Sequence, residues 1–200
     1  AQFGSYGVRK MDYTSGKTDT SWGSRGVVGR SGSCRTYYPY SAVVHNGIMY
    51  VPDYYRGIRK IRLSDGACLG TLANLRYVRS LTVYDNSLIA SSTLGTYSYN
   101  LSTGASRRCS NQRSEFRYTF ATTASNNTLY SFYNRRFYSA TLSDESGTLC
   151  PRSNFRNFVD YNTYQAYGIA ADPNQNDVIY VMDRSYNRMS KITMNSSRSG

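Results

Sequence analysis

Short apolar runs alternate with turn signals along this chain, and the pattern is clearest between Tyr40 and Leu72. Four apolar runs in this stretch are separated by three turn signals rich in Asn, Asp and Gly. These residues accept positive φ or cap a turn at little cost, so each signal predicts a hairpin. The run Ile58–Leu63 sets Ile58, Lys60 and Arg62 against Arg59, Ile61 and Leu63, so that its second half has the period of two that is typical of a half-buried strand. The stretch therefore predicts a four-stranded antiparallel meander.

The same meander recurs along the chain. Similar runs and turns indicate four repeats, at residues 40–72, 78–110, 118–150 and 166–194. The N-terminus supplies a half repeat, residues 7–22, in which Gly7–Tyr13 and the turn Thr14–Gly16 match Gly57–Asp65. A spacing of about 40 residues is the length of one propeller blade. The sequence thus predicts an all-β fold, with one β-propeller domain over residues 1–200 made of four four-stranded repeats and the half repeat.

Three segments carry a family resemblance: VRKMDYTSG at 8–16, YYPYSAVVHNGIMYVPDYYRGIRKIRL at 37–63, and YNTYQAYGIAADPNQNDVIYVMDRSYNRMSKITM at 161–194. In this order along the chain they resemble segments of olfactomedin domains. The last strand pair, Ile179–Ser190, is also similar to a blade of the NHL propellers. The olfactomedin resemblance implies five blades; a ring closed with four blades is the alternative.

Many olfactomedin domains hold calcium in a central channel. The resemblance places the family's side-chain ligands at Ser80, Ala121 and Ala170, and Ile169 would offer only its carbonyl. Calcium prefers carboxylate oxygens, and none of these positions has one. We therefore expect no calcium site, and the sequence indicates no other metal or cofactor.

The chain is rich in positive charge and in tyrosine. The net charge is +12, only four of the basic residues are lysines, and there are 21 tyrosines. Arg binds anions with a planar set of donors and stacks on aromatic rings. Interleaved Arg and Tyr residues in the predicted loops form a candidate binding surface, namely Tyr54, Tyr55, Arg56, Arg76, Arg79, Arg135 and Arg136.

The cysteines Cys34, Cys68, Cys109 and Cys150 are an even number and lack the paired spacing of a zinc site. The last three occupy equivalent positions in their repeats. Such positions on different blades are expected to lie too far apart for the ~4.4–6.8 Å between Cα atoms that a disulfide needs. Cys34 could reach one neighbour, while bridges between molecules and buried free thiols stay open.

Glycosylation sequons begin at Asn100, Asn126 and Asn195. Asn126 has the best context, because it falls at a predicted hairpin tip and a glycan needs an exposed asparagine.

Residues that carry catalysis are scarce. The chain has one histidine, His45, in a predicted turn, and only 12 acidic residues, most of them in turns. Phosphate-binding loops and catalytic triads are not indicated. We therefore expect no enzymatic activity.

Together these features favour a secreted interaction module that acts in protein–protein or extracellular-matrix adhesion and assembly. The partner is expected to be a protein, a matrix component or a second copy of the chain, in a homo-oligomer or filament. The alternative is a basic propeller that binds anionic polymers. Acidic glycans are the stronger candidate there, because RNP, KH and zinc-finger signatures of nucleic-acid binding are lacking. No apolar run approaches the roughly 18 residues of a membrane span.

The half repeat also predicts how strand edges are protected. In a closed propeller the N-terminal strand joins the last blade. If the two do not meet, exposed edges are expected to pair with another chain.

Overall fold

A computed structural model describes residues 2–4, 7–30, 32–110, 119, 122–133, 136–160, 166–172, 174–175, 178–183 and 188–193. This part of the chain consists of strands and their connections, with no helix. The strands are β1 Gln2–Gly4, β2 Gly7–Arg9, β3 Val27–Val28, β4 Val43–His45, β5 Ile48–Asp53, β6 Gly57–Arg62, β7 Cys68–Ala73, β8 Val78–Tyr84, β9 Ser87–Ser92, β10 Gly95–Asn100, β11 Ser106–Arg108, β12 Thr122–Ser125, β13 Thr128–Tyr133, β14 Arg136–Asp144, β15 Leu149–Asp160, β16 Ala166–Ala171, β17 Val178–Asp183 and β18 Arg188–Thr193.

The chain divides into two compact units, Ala1–Ser80 and Leu81–Gly200. The first unit holds a three-stranded sheet, β1-β2-β3, and a four-stranded sheet, β4-β5-β6-β7. Both sheets are antiparallel meanders. The β4–β5 hairpin turns at Asn46 and Gly47, whose φ angles of 46° and 72° are those of a two-residue turn with left-handed residues.

Trp22 lies at the centre of the first unit's core. Its side chain is 1% exposed, and its indole nitrogen donates a hydrogen bond to the Leu63 carbonyl over 3.0 Å. A buried indole N–H needs such an acceptor, because leaving it unpaired is costly. The remaining buried members of this cluster are Val8, Val28, Cys34, Met49, Val51 and Ile61.

In its described part the second unit holds three antiparallel sheets, ordered β11-β10-β9-β8, β12-β13-β14-β15 and β16-β17-β18, of which strand β8 begins in the first unit. Two apolar clusters lie among the described residues of this unit. One consists of Ile89, Leu129, Ala140 and Leu142. The other consists of Tyr130, Phe132, Phe137, Ala166, Ile179 and Val181.

The four predicted repeats correspond in order to the sheets β4–β7, β8–β11, β12–β15 and β16–β18. Two boundaries differ from the prediction. Strand β15 continues to Asp160, beyond the predicted end at 150. The last sheet has three strands in the described part of the chain rather than four.

The N-terminal segment differs more from its prediction. The strand predicted at Gly7–Tyr13 ends at Arg9, and its sheet takes a third strand at Val27–Val28, outside the predicted half repeat. The Asp12 carboxylate explains the early end, because it accepts hydrogen bonds from the backbone N–H and the hydroxyl of Ser15. Such local bonds favour a turn over a continuing strand.

All four cysteines of the chain are paired, so none of them is a free thiol. Cys34 pairs with Cys68, with 5.7 Å between their Cα atoms. Cys109 pairs with Cys150, with 5.5 Å between theirs. The prediction that equivalent positions of different repeats lie too far apart for a disulfide was wrong for this second pair.

The Cys109–Cys150 bond forms because edge strands of successive sheets converge. β11 and β15 are each at the edge of a sheet, and Cys109 directly follows β11. The turn between β14 and β15 reaches back to the β10–β11 region. Asn100 Nδ2 donates to the Gly147 carbonyl over 2.9 Å, and the Ser110 hydroxyl donates to Glu145 over 2.7 Å.

Candidate binding surface

The turn between β5 and β6 is organised by Asp53, whose side chain is 0% exposed. Its carboxylate accepts three backbone hydrogen bonds: from Tyr37 over 2.5 Å, from Tyr55 over 2.9 Å and from Arg56 over 3.0 Å. A buried carboxylate is stable only when such donors replace its lost hydration. Asp53 therefore fixes the 54–56 turn against the segment that precedes β4.

Gly57 closes this turn in a conformation that other residues adopt with strain. Its φ is +90°, and a Cβ atom there would lie 2.1 Å from the Ala73 carbonyl oxygen. The close approach to the end of β7 brings the 74–77 connection beside the turn. The Tyr77 backbone N–H then donates to the Tyr54 carbonyl over 2.6 Å.

Six tyrosines gather around this turn, and we call them the tyrosine cluster: Tyr37, Tyr38, Tyr40, Tyr54, Tyr55 and Tyr77. Tyr54 contacts Tyr40, Tyr55 and Tyr77 edge to face, with ring centroids 5.8, 5.1 and 5.1 Å away. Tyr38 packs on Tyr55 in the same manner at 5.8 Å. Edge-to-face pairs of this kind add stability beyond the area that they bury. Tyr38 and Tyr55 are nevertheless each 51% exposed, so the cluster presents aromatic surface to solvent.

Two arginines extend the cluster on one side. The guanidinium carbons of Arg35 and Arg56 lie 4.7 and 4.5 Å from the centroid of the Tyr37 ring. Arg56 also donates to the Tyr37 hydroxyl over 3.1 Å. Among the described residues, neither Arg35 nor Arg56 forms an ion pair with an acidic side chain. The positive charge beside the rings is therefore available to an anionic partner.

Burial shifts the pKa of one tyrosine of the cluster and of one arginine near the turn. Burial, followed by the neighbouring Tyr54, raises the pKa of Tyr40 above its usual value. Burial lowers the pKa of Arg59, an effect that the charge of Asp53 opposes. Arg59 is held beneath the turn, where it donates a hydrogen bond to the Thr71 hydroxyl.

The structure brings together part of the predicted binding set. Tyr54 and Tyr55 are in the tyrosine cluster, and Arg56 stacks on Tyr37. Arg79 is close enough to Tyr40 to influence its ionisation, and Arg76 is exposed beside Tyr77 in the chain. Arg136 begins β14 in the second unit and is exposed there, and Arg135 lies outside the described residues.

The predicted binding set lacks the other four tyrosines of the cluster and Arg35. Tyr37 and Tyr38 lie in the connection before β4. The isolated pairing of Pro39 with Asp53 aligns the Tyr-Tyr-Pro-Tyr segment with the turn. That pairing joins residues far apart in the sequence and is visible only in the folded chain.

The positions at which the family resemblance would place calcium ligands differ in their burial. Ser80 is buried in β8, Ala170 is exposed in β16, and Ala121 lies outside the described residues. Where the structure describes the chain, no three His, Cys, Asp or Glu side chains are grouped to hold a metal ion. The absence of a calcium site stays a prediction.

Comparisons with known proteins bear on the fold. No protein-family model matches the chain, and no curated protein matches its sequence. An auxiliary nutrient binding protein from Bacteroides ovatus is similar in structure, with a TM-score of 0.62 and 15% identity, over 79% of this chain and 45% of that chain. BamB from Moraxella catarrhalis is similar with a TM-score of 0.56 and 12% identity, over 98% of this chain and 53% of that one. The fold is of the β-propeller type.

The chain spans about half the length of these two structures. At such low identity the likeness shows the fold and nothing of the function. The specific match to olfactomedin domains, the number of blades and the closure of the ring stay predictions. In the part of the chain that the structure describes, no helix is long and apolar enough to cross a membrane.

Proposed function

We propose that this chain is a secreted, non-enzymatic, olfactomedin-like interaction module that binds a protein or matrix partner through the tyrosine cluster. The observation that carries the proposal is the exposed aromatic surface of Tyr38, Tyr40 and Tyr55 around a turn fixed by buried Asp53. Rigid tyrosines offer a large contact area at a small cost in conformational entropy, which is why they are enriched in binding surfaces.

The proposed secretion is supported by the pairing of all four cysteines in two disulfides. Disulfides form and persist in oxidising compartments and are rare in the cytosol. Alkylation of the native protein without prior reduction tests this point. We expect no labelled cysteine; four labelled cysteines would contradict secretion.

A second candidate function is binding of acidic glycans. The observation that favours it is the stacking of Arg35 and Arg56 on Tyr37 without a described acidic partner, in a chain of net charge +12. A guanidinium held beside a ring is already ordered when it meets a sulfate or carboxylate. Binding of this kind releases counterions, so its affinity should fall steeply with salt.

One experiment separates the two candidates. The native chain is applied to a cell-derived extracellular matrix that is untreated, digested with trypsin, or digested with glycosaminoglycan lyases. A protein partner predicts that retention is lost after trypsin and kept after the lyases. An acidic glycan predicts that retention is lost after the lyases. It also predicts salt-sensitive retention on heparin that the Arg56→Gln variant weakens and the Arg30→Gln control does not. Retention on untreated matrix no greater than on an albumin-coated surface would contradict both candidates.

A further inference from the structure

The β12–β13 hairpin ends in a tight turn that carries the sequon Asn126-Asn127-Thr128. Asn126 and Asn127 have φ angles of 46° and 55°, the left-handed pair of a two-residue hairpin turn. The backbone of Asn127 is held from both sides. Its N–H donates to the Tyr84 hydroxyl over 2.7 Å, and its carbonyl accepts from the Leu142 N–H over 2.8 Å. The turn is therefore fixed in position within the second unit.

The Asn126 side chain remains open on this fixed turn. Asn126 is exposed, and among the described residues no hydrogen bond involves its carboxamide. The Thr128 hydroxyl, the other residue of the sequon, donates to the Asn126 carbonyl over 3.3 Å. A group attached to Asn126 Nδ2 would thus displace no contact of the folded unit.

Asn100 begins a second sequon, and its side chain, unlike that of Asn126, is held by hydrogen bonds. It is half-buried, and its Nδ2 donates to the Gly147 carbonyl. Its Oδ1 accepts from the backbone N–H groups of Ser102 and Thr103, each over 3.0 Å. A glycan on Nδ2 would have to be accommodated at the contact with Gly147. Gly147 lies in the turn between β14 and β15, close in sequence to Cys150 of the Cys109–Cys150 disulfide.

We propose that Asn126 carries an N-linked glycan and that Asn100 does not, an inference that rests on the proposed secretion. In the transfer, Asn126 Nδ2 forms a bond with the anomeric carbon of a lipid-linked oligosaccharide. The bond from that carbon to the lipid diphosphate breaks, the diphosphate leaves with the electron pair, and the amide gives one proton to a base of the transferase. The product exposes a bulky, hydrated group at the hairpin tip.

The test uses the full chain with a fused secretion signal, expressed in cultured animal cells. An Asn195→Gln background removes the third sequon, which lies outside the described residues. Digestion with peptide N-glycosidase converts a glycosylated asparagine to aspartate, and peptide mass spectrometry then locates it. The background chain is compared with the variants Asn126→Gln, Thr128→Ala, Thr128→Ser and Asn100→Gln.

We expect one glycan, at Asn126, in the background chain and in Asn100→Gln. Thr128→Ser keeps the sequon and should keep the glycan, whereas Asn126→Gln and Thr128→Ala should lose it. The inference would be overturned if the background chain were recovered from the medium with its disulfides formed but without a glycan at Asn126. A glycan at Asn100 would also overturn it. Neither result touches the proposed secretion, because the fused signal directs entry and the thiol alkylation of the native protein tests secretion separately.

Discussion

At the scale of single residues, the buried Asp53 carboxylate has the largest expected effect on the candidate surface. Replacing it by Ala leaves the backbone N–H groups of Tyr37, Tyr55 and Arg56 without their acceptor. We expect Asp53→Ala to lower the free energy of unfolding by about 1–3 kcal/mol. Urea denaturation followed by tyrosine fluorescence measures the change.

The matched control is Asp85→Asn, which also removes a carboxylate. Asp85 is exposed and has a φ of 53°, a conformation that Asn tolerates. The control should change stability by less than about 0.5 kcal/mol. Equal effects of the two substitutions would show that Asp53 does not organise the turn.

A second residue-scale prediction concerns pH. Hydrogen bonds from Ser21 and then from Lys10 lower the pKa of Asp19 from 3.8 to about 2. Because the folded pKa is below the unfolded one, the stability that Asp19 contributes is present above pH 3.8 and is lost as the pH falls through about 2. Carboxyl NMR shifts should show Asp19 titrating near 2, and Ser21→Ala should move the midpoint upward. A midpoint near 3.8 in the folded wild-type chain would contradict this.

At the scale of elements, the Cys34–Cys68 disulfide ties the connection before β4 to β7. The bond closes a loop with a sequence separation of 34 residues, for which chain entropy predicts about 2–4 kcal/mol of stabilisation. The double variant Cys34→Ser/Cys68→Ser should therefore unfold at a lower urea concentration. Variants that unfold at the wild-type midpoint would exclude this role.

The elements also show how far the sequence predicts the fold. Hairpins such as the one at Asn46 and Gly47 were predictable because positive φ selects these residue types locally. The Cys109–Cys150 bond was not, because it depends on the β14–β15 turn packing on the β10–β11 region, which no local signal encodes. The early end of β2 has a local cause at Asp12. The prediction did not include it, because the residues from Gly7 to Tyr13 match the pattern of a longer strand.

The candidate surface was predictable to a similar extent. Adjacent residues, Tyr54 to Arg56, were identified from their composition and their place in a turn. Tyr40 and Tyr77 could not be joined to them from the sequence, because the cluster combines three separate segments. Backbone hydrogen bonds to Asp53 and Tyr54 help to bring those segments into contact.

At the scale of the whole molecule, the proposed function requires that the tyrosine cluster is the surface that binds. The most direct measurement is the affinity of the full chain for untreated extracellular matrix, compared between Tyr38→Ser/Tyr55→Ser and Tyr13→Ser. Tyr13 is a fitting control because it is fully exposed, at 102%, and belongs to a different turn of the same unit. We predict at least about a tenfold loss of affinity for the double variant, the effect of removing about 1.4 kcal/mol of contact energy, and no change for Tyr13→Ser. Equal affinity of the folded double variant and the wild-type chain would contradict the account.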